Sequence, residues 1–293
     1  MTHYEIDYKK IDKILISLCL ILFMIGYYKN GLIYVLHGEL KFINTLNYIL
    51  MLGISMLITY LFKRKNITSK DIIKAFLIVL LIPPRLNVYI YTFIVILFNI
   101  IKKYIKDDSF LDILIYKVVL CLLMPIINLD YQNIIEVSTN YLYGSLDNFI
   151  GEAVGNFGTT SILLIIVFFF VSTMNYYFKK DVSIYAFTTF IILEVISSLV
   201  FHNNFVINIL NNNMFFTTLI LLPRVYTPVY KHFEIIFGII FSIISFLMLK
   251  TGIVNAPYYC LLIMEIIFYI LRRLYIIMIN KKYNNWNFYN NYI

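Results

Sequence analysis

Charge is scarce in this sequence. Only 14% of its 293 residues are Asp, Glu, Lys or Arg, where a soluble domain carries about 25%. Mean hydropathy is +0.82. So little polar side chain cannot coat a water-soluble globule of this size. That excludes a soluble enzyme, a nucleic-acid-binding domain and a disordered tail protein. Cysteine is scarce as well. Cys19, Cys121 and Cys260 lie far apart inside apolar runs, and no CxxC or CxxH spacing exists. A zinc site, iron–sulfur ligation within the chain and a disulfide framework are therefore not expected. The four histidines are scattered singly. No Ser/His/Asp cluster, phosphate-binding loop or metal-ligand spacing occurs. Strand-like alternation of apolar and polar residues is missing too, which argues against a membrane β-barrel.

What the sequence has is long apolar runs. Backbone groups in lipid must be hydrogen-bonded within their own segment, so such runs predict helices. Ten candidates appear at or somewhat below the roughly 20 residues a span needs. They are Lys13–Tyr28, Phe42–Phe62, Ile72–Ile82, Leu86–Ile101 and Phe110–Leu129, then Thr160–Phe178, Val182–Phe201, Phe205–Leu222, Phe233–Leu249 and Ala256–Leu271. The third is short, and Asn208 and Asn211–Asn213 interrupt the eighth. The N-terminal MTHYEIDYKK is charged, and no small-residue cleavage site follows, so the first run reads as a retained helix.

The basic residues test this count. With ten spans and a cytoplasmic N-terminus, 19 of the 24 Lys and Arg fall in cytoplasmic segments. Lys29, Lys41, Arg85 and Lys250 fall outside, and Lys117 lies within a span. This is the asymmetry that the positive-inside bias predicts. The net charge of +8 therefore marks cytoplasmic loops and not a nucleic-acid partner. Both termini are expected in the cytoplasm. The expected organisation is a five-helix half over residues 1–129, an outside Gly-rich segment over 130–159, a second five-helix half over 160–275 and a cytoplasmic tail over 276–293.

A short repeat suggests how the halves are related. Residues 80–89 read LLIPPRLNVY and residues 221–230 read LLPRVYTPVY. One copy joins the third and fourth spans and the other joins the eighth and ninth. An offset of five spans puts the copies on opposite sides of the membrane, as in an inverted-topology repeat. Coincidence is the alternative, since Leu, Pro and Tyr are common here. In an inverted repeat, the short third span and the Asn-broken eighth would form a central path or site.

The outside segment holds Gly144, Gly151, Gly155 and Gly158, four of the ten glycines. Their spacing suits helix packing through small residues. It also suits a phosphate-bearing ligand at the following helix N-terminus. Ionisable residues within spans are Asp112, Lys117, Glu194 and Glu265. Each costs roughly 2.5–3.5 kcal/mol at the bilayer centre, so each needs a partner or a wet cavity. Glu194, Glu265 and Asn212 are candidates for lining an ion path. Asn211–Asn213 could bond between helices or unwind the eighth span.

Three stretches in order resemble one family. It is the flavin-carrying membrane protein of Rnf electron-transport complexes, related to its counterpart in the sodium-pumping NADH:quinone oxidoreductase. The stretches are ITYLFKRKNITSKDIIKAFLIVLLIPPRLNVYIYTF at 58–93, FIGEAVGNFGTTSILL at 149–164 and MFFTTLILLPRVYTPVYKHFEIIFGIIFSIISFLM at 214–248. In the first, the basic loop, Asp71 and the Leu-rich run ending in Pro-Pro carry the likeness. In the second, Gly151, Gly155, Gly158, Thr160 and Ser161 match the family's Gly-rich segment, and Thr159 stands where the family has Glu. In the third, Pro228 is retained, and Pro223 occupies the family's Asp position.

The resemblance implies an all-α integral membrane fold with about ten transmembrane helices in two inverted five-helix halves. It implies a component, in the bacterial plasma membrane, of a translocase that couples ferredoxin/NAD electron transfer to Na+ or H+ movement. Its partners would be the other membrane subunits and a peripheral flavin-bearing subunit. It also implies a flavin mononucleotide (FMN) on the outside, with Thr139, Gly151, Gly155, Gly158, Thr160 and Ser161 as the binding set. The family's attachment motif is eroded: its strict position falls near Tyr141, and Thr139 is the nearest threonine. The family's Gly-Gly and Asn-Pro-Ala motif after the fourth helix is replaced by KKYIKDDSFLDILIY at 102–116. A small-solute or ion carrier on the same scaffold, with no redox group, is the rival expectation.

Overall fold

The computed structural model describes residues 8–36, 38, 41–63, 67–83, 86–104, 111–123, 156–174, 178–201, 210–225, 231–253 and 255–282. Among these, 89% are helical and no strand occurs, so the all-α expectation holds. The helices are α1 (Tyr8–Tyr27), α2 (Ile33–Leu36), α3 (Phe42–Lys63), α4 (Ser69–Leu80), α5 (Val88–Tyr104) and α6 (Leu111–Leu123). They continue as α7 (Ile162–Thr173), α8 (Lys180–Phe201), α9 (Asn212–Phe216), α10 (Leu222–Val225), α11 (Lys231–Lys250) and α12 (Ala256–Lys282). A π-turn at Tyr28–Leu32 joins α1 to α2, and a second at Thr217–Leu221 joins α9 to α10. A 3₁₀ turn, Phe157–Thr159, precedes α7.

Four helices are long and apolar enough to cross a membrane: Lys10–Leu36, Asn44–Lys63, Lys180–Phe201 and Phe233–Lys250. Large apolar side chains face outward along them, with Leu199 72% exposed and Phe201 68% exposed. Contiguous exposed apolar surface of this kind marks a lipid or protein interface, and it fits a membrane protein. Helix limits differ most from the sequence expectation in two places. The first helix runs on through its π-turn to Leu36, and the last continues to Lys282, into the stretch expected as tail.

Side-chain pairs fix the helix directions. Lys250 Nζ donates to Glu194 Oε2 at 2.9 Å, and Ser242 Oγ donates to the Ala186 carbonyl, each pair 56 residues apart. Gly238 packs on Val182 with the same offset. A constant offset at each turn means that α8 and α11 run parallel. The limb α9–α10 runs the other way beside α8. Ser183 Oγ donates to the Thr218 carbonyl at 2.7 Å, and the Phe187 and Phe215 rings meet edge to face at 4.7 Å. The numbers rise on one helix as they fall on the other, so the limb is antiparallel to α8. By the same reasoning α4 and α6 run parallel. Lys74 reaches Asp112 and, one to two turns further on, Leu81 meets Lys117.

Two prolines shape the ends of α4 and of the α9–α10 limb. In the first case, α4 stops at Leu80 and Pro83 follows, because a residue ahead of proline is pushed out of the α region. In the second, Pro223 sits inside the buried limb. It has no N–H, and in the π register of the preceding turn the carbonyl left without that donor is the one five residues back, at Thr218. The π-turn just before it absorbs that defect, and the Thr218 carbonyl takes its bond from Ser183.

At the other end of α4, Thr68 and Asp71 form a reciprocal capping box. Asp71 precedes the apolar run and pairs with Lys63 at 3.2 Å. Burial pushes the Asp71 carboxyl up, but the hydrogen bonds from Thr68 and the Lys63 ammonium outweigh it and hold the group below its ordinary 3.8.

This packing can be tested at two positions. A Cβ at position 238 would lie 2.7 Å from the Val182 carbonyl oxygen, whereas one at position 53 meets nothing within 4 Å. Thermal unfolding in detergent should show Gly238→Ala losing about 1–3 kcal/mol and Gly53→Ala unchanged or slightly stabilised. Asp71→Asn should cost about 1 kcal/mol at neutral pH, the size of a capping contribution. A depressed carboxyl stabilises fully above its unfolded titration. The gap between wild type and variant should therefore close as pH falls below 3.8 through Asp71's lowered titration.

Candidate functional site

The ends of α4 and α9 meet across one small residue. Gly158, in the 3₁₀ turn, is wedged between Leu80 at the end of α4 and Phe216 at the end of α9. A Cβ there would lie 2.7 Å from Leu80 Cβ and 3.1 Å from Phe216 Cε2. Only glycine lets the three segments approach this closely.

Beside this crossing lies a polar cluster buried in apolar protein. Lys117 of α6 is fully buried. Its ammonium donates to the Leu81 carbonyl at 3.0 Å and to Asn156 Oδ1 at 3.0 Å. It also sits over the Tyr258 ring of α12, 5.2 Å from the centroid. Asn156 Nδ2 donates to Asn213 Oδ1 at 3.4 Å, and Tyr258 Oη donates to the same oxygen at 3.4 Å. Cys121 lies one turn along α6 and is also buried. The cluster thus draws on α4, α6, the 3₁₀ turn, α9 and α12, from both ends of the chain. No carboxylate pairs with Lys117 among the described residues.

Among the described residues, the other buried lysine is paired with a carboxylate. Lys74 Nζ meets Asp112 Oδ2 at 3.2 Å between α4 and α6. Arg224 donates to Ser172 Oγ at 2.6 Å and to the Ile220 carbonyl at 2.8 Å, with the Phe168 ring against its guanidinium. Among the described residues, no group of three or more His, Cys, Asp or Glu could hold a metal ion.

The sequence-predicted residues fall in several places. Thr139, Gly151 and Gly155 lie outside the described residues. Gly158 is at the crossing, but as a packing residue. Thr160 and Ser161 are buried, and Ser161 Oγ caps α7 by accepting from the Leu164 N–H at 3.4 Å. Leu80 and Phe216 fill the space beside Gly158, so at this position the glycine serves close packing. Glu194 pairs with Lys250 on the α8–α11 seam. Glu265 is buried on α12, about two turns beyond Tyr258. Asn212 opens α9, and its Oδ1 is buried with no hydrogen-bond partner among the described residues.

Lys117 stands out in the sequence as the lone lysine of an apolar run. Asn156, Asn213 and Tyr258 give no such signal as its partners. They come together only because distant segments cross at Gly158. In comparisons with known proteins, no family model and no curated protein matches this chain.

The Lys74–Asp112 pair yields a prediction. Removing one partner of a buried pair leaves an uncompensated charge and costs about 3–5 kcal/mol, whereas replacing both with apolar residues is often near neutral. Asp112→Asn alone should therefore lower detergent-solution stability more than the double variant Lys74→Met/Asp112→Leu. Equal losses would mean that the pair acts through shape and not charge.

Proposed function

We propose that the chain is the ion-translocating membrane component of an Rnf-type redox-driven complex, with its path at the Lys117 cluster. The observation that carries this reading is a buried ammonium without a carboxylate partner among the described residues, beside the point where the end of α4 and the π-interrupted α9–α10 limb meet at Gly158. Ionisable groups inside a membrane bundle mark ion and proton pathways. Broken helices at matching positions of two halves mark the site in inverted-repeat transporters. Ten crossings with both termini in the cytoplasm complete the reading. The parallel pairs α4/α6 and α8/α11 support it, because each needs a return limb between its members.

In this setting the chain sits in the bacterial plasma membrane beside the complex's other membrane subunits and a peripheral flavin-bearing subunit. Thr139 is its candidate for attaching flavin mononucleotide. Glu194, Glu265 and Asn212 are further candidates along the path. The chain supplies scaffold and path, and nucleotide and iron–sulfur chemistry belong to its partners.

A carrier for a small solute on the same scaffold is the second reading. It is favoured by the structural employment of Gly158 and Ser161, which leaves that end of the flavin set committed to packing.

Flavin fluorescence of the denatured chain in a gel separates the two. The Rnf-type reading expects a fluorescent band that disappears in Thr139→Val. A band that persists moves the attachment elsewhere in the chain. No band, from cells that flavinylate a control protein, removes the covalent relay and leaves the carrier.

A further inference from the structure

We propose that the α9–α10 limb is a register switch, and that Ser183 of α8 holds it in its π form. The switch is a property of the limb itself and holds under either functional reading.

In the π form the Leu222 N–H donates to the Thr217 carbonyl. The Thr218 carbonyl then needs the N–H of residue 223, which is proline and has none. Ser183 Oγ supplies the bond from outside the limb, at 2.7 Å. The Thr218 hydroxyl is buried with no hydrogen-bond partner among the described residues. In an α form the same residues would bond differently. The Leu221 N–H would take the Thr217 carbonyl and the Leu222 N–H the Thr218 carbonyl, each four residues back. The Thr218 hydroxyl would come within reach of the Met214 carbonyl, as the Thr217 hydroxyl now reaches the Asn213 carbonyl at 2.7 Å. Ser183 would be released to bond the carbonyl four residues back on its own helix. The Leu219 carbonyl would go short, because its donor in that form is again residue 223. Each form thus leaves one buried polar group wanting, the Thr218 hydroxyl in π and the Leu219 carbonyl in α. The two forms are close to balanced, and the Ser183 bond tips the limb toward π. Single π-turns set into α-helices recur at functional sites.

The two halves of the limb are anchored to different parts of the molecule. Arg224 ties α10 to α7, with its guanidinium on Ser172 Oγ at 2.6 Å and against the rings of Phe168 and Phe178. Asn213, in the first turn of α9, accepts from Asn156 and from Tyr258, each at 3.4 Å. Passing from π to α changes the winding by one residue, about 100° of helix rotation. The end held by the longer bonds is the one that turns, so Asn213 leaves Asn156 and Tyr258 while Arg224 stays. Ser183 thereby links α8 to the Lys117 cluster: while its hydroxyl holds the Thr218 carbonyl, Asn213 is kept in place.

Hydrogen exchange followed by mass spectrometry, on the full chain in lipid nanodiscs, tests the switch. Ser183→Ala removes the outside donor with little change of shape. It should speed exchange of the amides in 212–222 by about tenfold, the effect of one buried carbonyl left without a donor, and leave α7 and α11 as they were. Adding Pro223→Ala gives either form its missing N–H and should return the limb to wild-type exchange. A structure of the Ser183→Ala chain should show the limb in the α register, with Asn213 away from Tyr258. Unchanged limb exchange in Ser183→Ala overturns the role of Ser183. Faster exchange spread equally over α7 and α11 shows general loosening and overturns the switch. So does a limb that stays fast in the double variant, or one that keeps its π-turn in the Ser183→Ala structure.

Discussion

A helix that ends inside a membrane protein leaves carbonyls that water cannot reach, and another side chain must satisfy them. Here α4 ends among buried residues, and Lys117 meets the need by donating to the Leu81 carbonyl. Much else depends on that contact. It sets α6 parallel to α4, with Lys74 and Asp112 as the second point of attachment. It brings Asn156 to the ammonium, and so places the 3₁₀ turn against the end of α4. That turn can occupy its position only because residue 158 has no side chain. A cation at the C-terminal end of a helix is also favoured by the helix dipole. The lysine is therefore structural in its resting geometry as well as central to the proposed path.

Two kinds of buried charge serve different ends in this molecule. Lys74–Asp112 and Lys250–Glu194 each tie two parallel helices together. Each is an ion pair at hydrogen-bond distance, so these pairs are fixed points of the packing. Lys117 is tied instead to a carbonyl, a carboxamide and an aromatic face. Those groups accommodate an ammonium without requiring one. This difference sets Lys117 apart from the lysines of the two ion pairs. Arg224 belongs with the fixed points, because a guanidinium keeps its charge and its forked donors bind Ser172 and the Ile220 carbonyl.

The π-turn at Thr217–Leu221 shows how an irregular backbone survives in such an interior. It compensates for Pro223 and releases a carbonyl, which Ser183 then bonds. Non-helical backbone at membrane depth is tolerated only where protein buries it or where it lines a cavity. The residues of this turn are all buried. The limb is short for a lipid-facing span and packs against α7, α8 and α12, so its length is set by protein contacts and not by bilayer thickness.

Composition and patterning alone determined that the chain is helical and built of apolar runs, because burial of backbone polar groups admits few alternatives when charge is this scarce. They also located the short third run, the Asn-broken eighth and the lone Lys117. Sequence did not foretell the outcome for Gly158, whose spacing allowed both ligand approach and packing until Leu80 and Phe216 were seen against it. It also marked Glu194 as a path residue without revealing that Lys250 pairs with it. Nor did it connect Asp112 with Lys74, or Lys117 with Asn156, Asn213 and Tyr258. Periodicity reports which face of a helix is apolar, a property of near neighbours in the chain. Which polar groups meet is decided by how segments 36 to 141 residues apart cross, and that depends on helix direction, close approach at a single glycine and the demand of one interior carbonyl for a donor.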